Sequence, residues 1–104
     1  MDEAVGPGYG LTMADAVRIH VRVTGRVQGV FFRATARDLA GRLGLTGWIE
    51  NRPDGDVEAE FQGDPQAVDE AVAFCRQGPA HGYVSRVAVR SRDVVDREQG
   101  FRVR

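Results

Sequence analysis

The chain of 104 residues contains no lysine and a single cysteine, Cys75. One cysteine excludes an intramolecular disulfide, which fits a reducing compartment. With no lysine, all 14 basic positions are arginine. Genomic base composition accounts for most of that usage; a planar fork selected for bidentate anion contacts can be the reason at only one or two sites. No apolar run approaches the roughly 20 residues needed to cross a bilayer. No basic segment followed by an apolar stretch opens the chain, so neither a membrane partner nor a signal peptide is expected, and the expected location is cytoplasmic. The two histidines, His20 and His81, do not cluster with Cys75 or the carboxylates at ligand spacing. No metal and no other cofactor is therefore expected. A net charge of -1 gives no electrostatic reason for a nucleic-acid partner.

What is present is the composition of an ordinary soluble globule, 42% apolar and 28% charged. The length allows one domain with one modest core, expected to be a monomer. Residues 1–16 carry Gly6, Pro7, Gly8, Gly10 and three acids (Asp2, Glu3, Asp15) without a basic residue. They read as a disordered tail. Residues 17–104 read as the folded domain, without repeat, linker or low complexity.

Val17, Ile19, Val21 and Val23 alternate with Arg18, His20, Arg22 and Thr24, the pattern of a strand buried on one face. A glycine-bearing loop spans Gly25 to Val30. Phe32, Ala36, Leu39, Ala40 and Leu43 then recur at helical spacing until Gly44. A second strand is expected from about Leu45 to Arg52, and a turn at Pro53-Asp54-Gly55. The third strand places Val57, Ala59 and Phe61 on one face and Asp56, Glu58, Glu60 and Gln62 on the other. Asp64 and Pro65 open a second helix with the stripe Val68, Ala71, Val72 and Cys75, stopped by Gly78 and Pro79. Val84 to Arg92 reads as a fourth strand with Val87 and Val89 inward, and Phe101 and Val103 suggest a short final strand. The order β-α-β-β-α-β predicts an α+β, ferredoxin-like sandwich: an antiparallel sheet with two helices on one face and a short extra C-terminal strand.

The segment Gly25-Arg26-Val27-Gln28-Gly29-Val30-Phe31-Phe32-Arg33 joins a strand to a helix. Glycines let such a turn curl until successive N–H groups face one centre, a nest for an anion. The helix N-terminus adds free donors and partial positive charge, and Arg33 can fold over the cradle with its bidentate fork. Many glycine-rich turns bind nothing, however, and an isolated arginine is usually a solvated one. Asn51, at the end of the second strand, has two possible roles: bonding its own turn backbone, or holding a water with an amide that both donates and accepts.

The runs GRVQGVFFR at 25–33 and GWIENRPDGDVEAEFQG at 47–63 resemble, in order and spacing, the two signature segments of the acylphosphatase family. The resemblance covers essentially all of residues 17–104. It implies a hydrolase of acyl phosphates in which the backbone amides of Arg26, Val27, Gln28, Gly29 and Val30, with Arg33, bind the phosphoryl group. It implies that Asn51 orients the attacking water and that inorganic phosphate is product and competitive inhibitor. Family members often carry an aromatic after the last strand; this chain has Arg104 there, which leaves open whether that end packs beside Arg33. Residues 1–16 have no counterpart in the family's minimal domain. His20 and His81 are expected at the surface, Cys75 and Trp48 in packing, and Asp54 and Asp56 in turn chemistry.

Two other classes share this architecture. RNA-recognition domains stack bases on aromatics exposed mid-sheet, whereas the outward face of the third strand here is acidic. A non-catalytic phosphate- or ligand-binding domain of the same fold is the remaining alternative, and the family's motif also occurs as a domain in larger hydrogenase-maturation proteins.

Overall fold

A computed structural model describes residues 15–104. The disordered tail expected over 1–16 falls almost wholly outside that range. Strand β1 (Val17–Arg26), helix α1 (Phe32–Arg42), strands β2 (Thr46–Asn51) and β3 (Val57–Gly63), helix α2 (Pro65–Gln77) and strands β4 (Tyr83–Arg92) and β5 (Phe101–Val103) follow in that order.

Side-chain alternation sets the sheet. Val21 lies opposite Ala59 and Val23 opposite Val57 in the antiparallel β1–β3 pair, and Ile49 lies opposite Ala59 in the β2–β3 hairpin. These side chains join Phe32, Ala36 and Ala40 of α1 and Val68, Ala71 and Cys75 of α2 in one buried cluster. Both helices therefore cover the same face. The full strand order is β4-β1-β3-β2-β5. The first four strands are antiparallel to their neighbours, while β5 adds beside β2 in parallel, Gly47 opposite Phe101. The sheet is thus mixed at one edge, a feature the short Phe101–Val103 pattern could not announce.

Helix α2 starts as its sequence suggests: Pro65 sits at the first turn, and Asp64 Oδ2 accepts from the Ala67 N–H at 3.2 Å. Two expectations need correction. Val89 faces the helix side opposite Val21, yet it is 39% exposed, because β4 is an edge strand. His20 is not a free surface residue. Its side chain is only 12% exposed, with Nε2 2.7 Å from Glu58 Oε2 and its ring edge-on to Trp48.

The helix-free face is a lattice of ion pairs. Arg18 reaches Glu60 at 2.6 Å, His20 reaches Glu58 and Arg22 reaches Asp56 at 2.8 Å. Each partner lies two residues before the register partner on β3, the diagonal contact that long side chains make across a twisted sheet. The acidic outer face read from β3 is therefore neutralised by arginines rather than displayed.

Candidate active site

Strand β1 runs two residues further than its apolar alternation suggested, through a register shift at Thr24/Gly25 to Arg26, opposite Tyr83. Gly25 makes this possible. Its φ is +136°, and a Cβ there would lie 2.1 Å from the Tyr83 carbonyl oxygen. Arg26 thus belongs to the sheet, and the free loop is residues 27–31.

Within that loop Gly29 has φ +74° and Phe31 has φ +64°, separated by one residue of ordinary sign. Alternation of left- and right-handed residues turns successive N–H groups toward one centre, the geometry of an anion nest. Phe31 is also the N-cap of α1, and no side chain caps this helix. The first N–H groups of α1 are then left without an intrahelical partner, at the positive end of the helix dipole. This contrasts with α2, whose end Asp64 closes.

The loop and helix start wall a cleft of about 270 Å³ lined by Val27 and Gly29, by Phe31 to Ala34, and by Asn51. That volume lies below the range of drug-sized sites, roughly 300–1,000 Å³, and suits a small ligand. Of the residues singled out from the sequence, Val27, Gly29, Arg33 and Asn51 meet here. Arg26, Gln28 and Val30 do not line it. Val30 packs against the core. The Gln28 side chain turns away and donates from Nε2 to the carbonyl oxygens of Arg52 at 2.7 Å and Asp56 at 2.9 Å. It thereby ties the loop to the neck of the β2–β3 hairpin, immediately beyond Asn51.

Asn51 ends β2 opposite Val57, on the helix side of the sheet. Its Oδ1 is buried and has no hydrogen-bond partner among the described residues. Arg33 donates from Nη1 to the main-chain oxygen of Arg104 at 2.7 Å. The Arg104 N–H in turn donates to the Ile49 carbonyl at 2.8 Å, two residues before Asn51. The Arg104 guanidinium lies 4.3 Å over the Trp48 ring and 3.4 Å from Glu50. The end of the chain therefore does meet Arg33, and a cation stacked on Trp48 stands where an aromatic was looked for. Nothing in the sequence pattern signals that contact, because it depends on β5 lying parallel beside β2.

The remaining chemistry-bearing groups lie elsewhere. Cys75 is buried in the core, and burial pushes its thiol up to about 12. The Asp56 N–H donates to Asp54 Oδ1 at 3.0 Å, an Asx turn. Hydrogen bonding to that amide, more than the nearby Arg22, holds the Asp54 carboxyl below its ordinary value against the opposing effect of desolvation. Among the described residues no group of three or more His, Cys, Asp or Glu side chains could hold a metal ion, and no helix is long and apolar enough to cross a membrane.

A small α+β domain in which a turn of nest geometry at the uncapped start of one helix faces an arginine and an asparagine has the form of a small-anion site. The acylphosphatase family model matches residues 19–103. An acylphosphatase of Rubrobacter xylanophilus is 51% identical over 84% of this chain and 79% of its own length. One of a Roseiflexus species is 46% identical over 88% of this chain and 98% of its own. The solved structure of an acylphosphatase from Coxiella burnetii superposes with a TM-score of 0.81 at 40% identity, covering 88% of this chain and 95% of that one. The chain belongs to the acylphosphatase family.

Proposed function

We propose that the protein hydrolyses acyl phosphates to a carboxylate and inorganic phosphate, with Arg33 and Asn51 as its two principal side chains. The observation that carries this is the unpartnered Oδ1 of Asn51, buried in the same cleft as Arg33 and the nest of residues 27–31. A buried carbonyl oxygen without a donor calls for one, and a water in that position is both satisfied and oriented.

The phosphoryl oxygens lie against the amides of the loop at residues 27–31 and its continuation into α1. Arg33 keeps donors for them while Nη1 holds the Arg104 oxygen. Those donors stabilise the charge on the equatorial oxygens in the transition state. The water on Asn51 attacks phosphorus, and the bond from phosphorus to the acyl oxygen breaks in line with it. The carboxylate leaves; one water proton stays on the phosphate and the other passes to solvent. Released phosphate occupies the same cradle and competes with substrate. The protein acts as a monomer, and its single thiol suits the reducing cytoplasm, where we place the reaction.

Leaving-group chemistry provides the test. A carboxylate, whose conjugate acid has a pKa of about 4 by analogy with side-chain carboxyls, departs at neutral pH without a proton. An alkoxide, whose conjugate acid is about as weak as water at roughly 15.7, needs a general acid or a metal. Neither Arg33 nor Asn51 is a proton donor near neutrality. Phosphate release from acetyl phosphate is expected to be fast, to persist in the presence of EDTA and to lack a steep bell-shaped pH profile. Release from glycerol phosphate is expected to be negligible. Comparable rates on both substrates would contradict the proposal and point to a general acid.

A further inference from the structure

Phe31 combines three observations that no structural role accounts for together. It is 79% exposed, the most exposed of the large apolar side chains among the described residues, and the only one of those exposed side chains that lines the cleft holding Arg33 and Asn51. Its backbone is left-handed, φ +64° and ψ +23°. For a residue with a Cβ that conformation is strained, and glycine or asparagine would take it far more cheaply. The side chain does not recover the cost by packing, because it is in solvent. It does not cap α1, because it has no acceptor. Backbone strain held in place beside a ligand cleft is most readily understood as serving the ligand.

We propose that Phe31 selects the acyl group, favouring aromatic and bulky apolar acyl phosphates over acetyl phosphate. This rests on the acyl-phosphate hydrolysis proposed above. The nest and Arg33 are complementary to the small, charged phosphoryl end of such a substrate. The acyl end must then lie over the mouth of the cleft. Val27 and Phe32, each 1% exposed, present almost no surface there. The Phe31 ring does, and an aromatic acyl group can stack on it while its phosphate stays in the cradle. The left-handed turn serves both purposes: it completes the nest and sends the side chain of the same residue out to the rim.

The test compares benzoyl phosphate with acetyl phosphate in the wild type, Phe31→Gly and Phe31→Tyr. Glycine keeps the left-handed turn without strain, so the glycine variant removes the ring and leaves the fold. The ratio of kcat/KM for benzoyl phosphate to that for acetyl phosphate is expected to fall about three- to tenfold in Phe31→Gly, chiefly through KM. Phe31→Tyr, which keeps an aromatic face, is expected to restore most of it. An unchanged ratio in Phe31→Gly would overturn the inference. So would an equal loss on both substrates accompanied by weaker inhibition by inorganic phosphate, since Phe31 would then act only through the cradle. If the wild type hydrolyses neither substrate, the proposed function itself fails, and that is visible before any variant is made.

Discussion

A buried carbonyl oxygen left without a donor costs about 1–3 kcal/mol, and no side chain or main-chain N–H among the described residues relieves Asn51 Oδ1 of it. Removing the amide in Asn51→Ala therefore is not expected to destabilise the fold through lost hydrogen bonds at Oδ1. Turnover on acetyl phosphate is expected to drop about a hundredfold, the scale of losing a well-placed reacting group. Inorganic phosphate should still bind, as calorimetry would report. Phosphate affinity falling in step with turnover would show that Asn51 holds the phosphoryl group and not the water. That Arg33, Asn51 and Gly29 would come together was legible from the sequence, because each is a residue type with a distinctive capability at a constrained place. Phe31 was not, since a phenylalanine gives no sign that its backbone will be left-handed. Nor was the turning away of Gln28, whose carboxamide meets two carbonyls brought near only by the hairpin.

At the level of the elements, the chain from 93 to 100 that delivers β5 has no regular structure of its own and is held by side chains of the open sheet face. Gln62 clasps Val95, accepting from its N–H at 2.8 Å and donating to its carbonyl at 2.9 Å. Arg18, 4% exposed, donates to Glu60, Gln62 and Glu98 together. Taking one partner from a buried ion pair strands the others, at about 3–5 kcal/mol. Arg18→Ala is expected to lose stability on that scale in urea unfolding, and because β5 carries Arg104 to Arg33, activity should suffer as well. A loss below about 1 kcal/mol, typical of a surface pair, would show that the lattice is ornamental. The alternation in β1 and β3 and the stripes of both helices were read correctly from local periodicity. The parallel placement of β5 and the two-residue extension of β1 were not, because strand pairing across sequence separations of fifty residues or more leaves no local pattern.

For the whole molecule, the charge lattice makes stability depend on acid. Burial opposes ionisation of Glu98, but hydrogen bonds from Arg18 and Thr46 outweigh it and hold the carboxyl below its ordinary 4.5. Arg52, and secondarily Arg104, do the same for Glu50 against its own desolvation. A carboxyl lowered by folding contributes its full stability above the ordinary value and loses it as pH falls through the folded value. The thermal midpoint is expected to fall as pH drops below about 4.5. A Glu98→Gln variant, less stable than wild type at neutral pH, should approach it as the pH falls below the ordinary carboxyl value and the wild-type carboxyl takes up its proton. A constant gap between the two curves would mean that folding does not lower the Glu98 carboxyl. The sandwich order was foreseeable from the sequence, and so was the meeting of the glycine loop with the start of α1; the contact of Arg104 with Arg33 was visible only in three dimensions. The central claim is that Arg33, closed over a backbone nest, binds the phosphoryl group of an acyl phosphate. The direct measurement is phosphate release from acetyl phosphate by the wild type and by a folded Arg33→Gln variant. Rapid release by the wild type and a fall of about a hundredfold or more in the variant, as for loss of one charge-stabilising donor, is the predicted result. Near-normal release by Arg33→Gln would contradict it.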